Sequence, residues 1–62
     1  MDCTKVEEML KKAELSKNER TAALLHLGLE VPEDDKKIFL LLHPVLQNRW
    51  TLLALSKLKL DG

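Results

Sequence analysis

With one cysteine, no tyrosine, two glycines and two prolines, the chain holds little from which a disulfide framework, a glycine-rich phosphate loop or a turn-rich β fold could be built. Cys3 alone cannot close an internal disulfide. With His26 and His43 as the only histidines, no His-x-x-x-His or Cys-x-x-Cys spacing exists to hold a metal. Ten basic and ten acidic side chains cancel, so no global field favours nucleic acid or a membrane surface. The longest strongly apolar run, Ile38 to Leu42, is far too short to span a bilayer, and the polar stretch Met1 to Lys5 lacks the apolar core of a secretory signal. Together with an unpaired thiol, this leads to the expectation of an intracellular, cytoplasmic protein. No convergent set of nucleophile, base and oxyanion donors is visible, so no enzyme activity, cofactor or small-molecule substrate is expected.

The chain does have helical signals along its whole length. Thr4-Lys5-Val6-Glu7 has the form of a capping box, in which a hydroxyl accepts from the third backbone N–H and a carboxylate reaches back to the cap. Val6, Met9, Leu10 and Ala13 follow at the spacing of one buried stripe, while Glu7 with Lys11 and Glu8 with Lys12 stand one turn apart on the wet side. Ser16-Lys17-Asn18-Glu19 repeats the capping pattern, ending the first helix near Leu15 and opening a second. Gly28 suits the left-handed position just past that helix, with Leu29 placed to fold back on Leu24. Pro32 and the acids Glu33, Asp34 and Asp35 mark a third start, where a missing N–H costs little and negative charge complements the helix dipole. Pro44 deprives Leu40 of a helical partner and drives His43 out of helical dihedrals, which favours a break there over a kink. No segment alternates with period two. The reading is a single all-α domain over 1–62, a small bundle of four short helices at about 4–15, 17–28, 33–42 and 44–60.

A domain of this size buries only roughly 60% of the surface its unfolded chain exposes, so added support is expected. With a disulfide and a metal set aside, oligomerisation remains. The demand concentrates between Ile38 and Leu60, where nine of twenty-three positions are leucine. On the fourth helix Leu46, Trp50, Leu53 and Leu60 share one face, Leu55 and Leu58 lie toward the opposite side, and Val45 and Leu52 fall between. Two apolar faces on one helix imply neighbours on two sides. The residues expected at a contact with a partner or a second copy are Leu46, Arg49, Trp50, Leu53, Leu55, Leu58 and Phe39, with Arg49 and Trp50 as anchors because both types are enriched among residues that dominate interfaces.

The expected function is therefore helix-mediated protein–protein binding by a small regulatory or adaptor protein that forms a homodimer. A dimeric helical DNA-binding regulator, presenting Arg49, Lys57 and Lys59 to phosphate, is the alternative. It is disfavoured because the acids at the start of the third helix would be repelled by the DNA backbone. A membrane-surface role is set aside too, since Gln47, Asn48, Arg49, Thr51, Ser56, Lys57 and Lys59 scatter around the fourth helix and form no cationic face.

Overall fold

The described residues form four α-helices: α1 (Cys3–Lys12), α2 (Lys17–His26), α3 (Glu33–Leu40) and α4 (Pro44–Leu58). The computed structural model describes residues 3–59, with the backbone only at 3, 4 and 6. The side chains of Cys3, Thr4 and Val6 and the whole of Leu60 thus lie outside what is described, but Thr4 stands inside α1 and not ahead of it, so the helix does not open on Thr4 as its capping-box pattern suggests. The all-α four-helix bundle is the expected fold class. No described helix is long and apolar enough to cross a membrane.

Each helix ends where a residue is forced out of helical geometry. Ser16 is extended, at φ −66° and ψ 168°, and accepts from the Glu19 N–H at 3.3 Å while Glu19 Oε1 accepts from the Ser16 N–H at 3.1 Å. Holding Ser16 extended requires the preceding chain to leave α1 early. The turn is made by Glu14 in the left-handed region at φ 51°, so α1 stops at Lys12 and not near Leu15. At the other end of α2, Gly28 takes φ 73°, the Leu29 N–H donates to the Leu24 carbonyl at 2.9 Å and the Gly28 N–H donates to the Leu25 carbonyl at 3.2 Å. This is the Schellman ending expected from the sequence, and it closes the regular helix at His26 because the motif itself uses the next three residues.

His43 and Pro44 break the chain between α3 and α4. His43 is extended at ψ 141°, as the proline ring demands, and α3 unwinds after Leu40, two residues ahead of the expected end. Two side chains replace the hydrogen bonds lost at this corner. His43 Nδ1 accepts from the Val45 N–H at 3.1 Å, which caps α4 and requires the ring proton on Nε2. From the first turn of α4, the Gln47 amide reaches the carbonyls of Phe39 (3.4 Å), Leu40 (3.3 Å) and Leu42 (2.9 Å), the last of these the closest. Gln47 therefore stands in for the missing next turn of α3 and sets the direction in which α4 leaves.

α2 is the centre of the bundle, packing most extensively against α4 and next against α3. Its inner positions are Ala22 and Ala23, and the facing helix supplies Ala54, so both helices can approach closely. Leu10 from α1 and Leu15 from the first corner close one end together with Leu58, and Ala13, Leu24, Leu27 and Leu29 pack around them. Phe39 is buried at the α3 side. Of the stripe expected on α1, Leu10 is buried, Ala13 is half-buried and Met9 stays exposed.

Candidate functional site

The 3.6-residue period puts Gln47, Thr51, Ala54, Leu55 and Leu58 on the side of α4 that faces the bundle, and these are buried or half-buried. Turned away from them are Val45, Leu46, Leu52 and Leu53, exposed at 68%, 43%, 59% and 43% of their surface. Arg49 and Ser56 lie among them, both exposed, and Leu41, 86% exposed, stands at the corner just ahead of α4. Trp50 is half-buried, at the seam between the inner and outer faces. The only described ion pairs lie elsewhere, so the acids of α3 do not neutralise Arg49.

The seven residues expected at a contact therefore divide. Leu46, Arg49 and Leu53 point outward and Trp50 borders them. Phe39, Leu55 and Leu58, only 4%, 5% and 6% exposed, are part of the chain's own core and have no surface left to offer a partner. The reason for the correction is the position of α2. Its alanines draw α4 in so closely that the Leu55 and Leu58 side of that helix is consumed at home, while the Leu46 and Leu53 side is left open.

A charged pair joins α2 to α4. Lys57 Nζ donates to Glu19 Oε1 at 2.9 Å and lies 2.8 Å from Oε2, which accepts no well-aligned hydrogen bond. The Glu19 side chain is 5% exposed and that of Lys57 47%. The lysine ammonium holds the Glu19 carboxyl below the ordinary glutamate range, helped by the Ser16 backbone and hydroxyl and opposed by burial. Sequence reasoning found Glu19 only as a local cap and missed the pair, since nothing in the chain links two positions 38 residues apart. The pair also removes Lys57 from the set of cations that the DNA-binding alternative would present to phosphate, leaving Arg49 and Lys59.

Shallow clefts run over the surface. The one between α2, α3 and the start of α4, about 400 Å³, is lined by Leu25, His26, Phe39, Leu40 and Asn48 among others, and His26 is its single ionisable group. Among the described residues no three His, Cys, Asp or Glu side chains gather in one place. The chain matches no family model, no curated protein and no solved structure, so the class the fold defines is as far as likeness goes: a small four-helix all-α domain.

Proposed function

We propose that this chain is a small regulatory or adaptor protein that acts by helix-mediated protein–protein binding, with the outer face of α4 as the binding surface. The observation that carries this reading is the placement of apolar groups by size. Among the described residues the three side chains most completely enclosed, at 0% to 1% exposure, are alanines, while Val45, Leu46, Leu52 and Leu53 stand in water on one side of one helix. Large apolar side chains scattered singly on a surface are ordinary, but several on one helix face mark a contact site. Arg49 in their midst adds a planar, multiply donating group of the kind that gives such a face its polar specificity. Binding would be helix-on-helix or helix-in-groove, because the face is one side of a rigid 15-residue rod.

The test replaces Leu53 with benzoylphenylalanine, expresses the chain in its native host and irradiates it, with Lys12 of α1 replaced in the same way as the control. Position 53 is expected to give a discrete protein adduct and position 12 none. Absence of any adduct at 53, or equal labelling at both positions, would remove the reading.

A further inference from the structure

We infer that the outer face of α4 is covered by a second copy of this chain. The inference rests on the protein-binding reading just given and names its occupant. Three observations favour the chain itself over a different partner. The first is area. The radius of gyration, 10.8 Å, equals the roughly 10.6 Å of a compact folded chain of this length. Yet the accessible surface is 4763 Å², some 700 Å² more than the approximately 4,100 Å² that a folded monomer of this mass exposes. That excess, to which Met9, Ile38, Leu40 and Leu41 contribute beside the α4 face, is close to the ~800 Å² that each partner buries in a stable protein–protein interface.

The second observation is the core. Among the described residues it is made of Leu10, Leu15, Phe39, Leu55 and Leu58 with three alanines, and none of these large side chains is fully enclosed. A chain of this length, with one cysteine and few large buried side chains among the described residues, gains stability from cover, and a second copy is the partner present whenever the chain is.

The third is self-complementarity. In a two-fold contact the same patch serves both sides, so one face per chain suffices. The α4 face meets that requirement. Leu46 and Leu53 lie two helical turns apart on one stripe, so antiparallel pairing sets Leu46 of each copy level with Leu53 of the other. Arg49 lies between this stripe and Val45 and Leu52, so the two-fold sets the Arg49 of each copy on one flank near the axis, where their long stems let both guanidiniums turn outward into water.

The experiment uses the full chain. Sedimentation equilibrium is measured from about 1 µM to about 500 µM, a range that brackets micromolar dissociation constants, for the wild type and for the double variant Leu46→Asp with Leu53→Asp. Wild type is expected to reach twice the 7.1 kDa protomer mass and the double variant to remain at 7.1 kDa with its helical circular dichroism retained. Trp50 at the seam should show a concentration-dependent blue shift in wild type alone. If the double variant fails to fold, purified wild-type chain carrying benzoylphenylalanine at 53 decides, since irradiation should yield a chain-to-chain adduct of doubled mass. A wild type at protomer mass throughout overturns the inference, as does a double variant that still dimerises. A monomeric wild type whose position 53 still labels a different protein in the host removes the second copy while leaving the protein-binding reading in place. A monomer with no adduct removes both.

Discussion

Glu19 caps α2 and receives Lys57 from the far end of α4 with the same carboxylate, so one residue ties local geometry to tertiary packing. Lys57→Met should destabilise the protein at pH 7 by about 1–2 kcal/mol in urea titration. This is less than the ~3–5 kcal/mol of a fully buried broken pair, because Lys57 is half in water and screened. The pH dependence follows from the lowered Glu19 pKa. Its contribution is present in full above the unfolded-state value of about 4.3 and is lost as pH falls through the lower folded value. Wild type should therefore lose stability as pH falls from the unfolded-state value through the lowered folded value, and Glu19→Gln should flatten that acid limb, as read from urea midpoints across the range. The exposed pairs Glu7 with Lys11 and Glu8 with Lys12 behave differently. They were legible at one-turn spacing, yet they do not close into ion pairs, because an exposed pair gains little over hydration.

At the scale of the element, the corners carry the information. Gly28 at φ 73° has nothing within 4 Å of where a Cβ would sit. Gly28→Ala should thus cost only the backbone penalty, about 1 kcal/mol, measurable as a shift in denaturation midpoint with no change in slope. Glu14 at φ 51° shows the opposite case, a residue with a Cβ in the left-handed region, and Glu14→Gly should leave stability unchanged or raise it by up to about 1 kcal/mol. His43→Ala should lower stability by about 1 kcal/mol through loss of the α4 cap, and His43→Ser should restore most of it, again by urea titration. The ends of α2 and the break at His43 and Pro44 were legible because serine, glutamate, glycine and proline act there through their own chemistry. The early end of α1 was not, since Glu14 carries no signal and yields only because Ser16 must be extended.

At the scale of the whole molecule, the two faces of α4 should respond differently to truncation. Leu55→Ala removes a buried side chain and should cost about 2–4 kcal/mol at any protein concentration. Leu53→Ala should cost little at low concentration and more as concentration rises, since it weakens only the contact that mass action populates. Thermal melts at two concentrations separate the two effects. Retention on duplex DNA should be absent even at low salt, where a phosphate contribution is strongest, because Lys57 is occupied by Glu19 and the remaining charges balance. The candidate face was half legible. Residue type and spacing put all seven residues at a contact without choosing a face; Leu46, Arg49 and Leu53 lie on the outer side, whereas Phe39, Leu55 and Leu58 are buried in the chain's own core.

Helix number, helix type, the capping of α2 and the break before α4 follow from the sequence by itself, because each depends on residues within a turn of one another. So does the existence of two apolar faces on α4, which is a matter of spacing along one helix. Which face turns inward was decided only by tertiary structure. Helical periodicity places Leu55 and Leu46 on opposite sides but assigns neither to the core. The choice comes from α2, whose alanines admit α4 at close range, and from the Gln47 and Glu19 to Lys57 contacts, which fix how α4 leaves its corner and how it lies against the bundle.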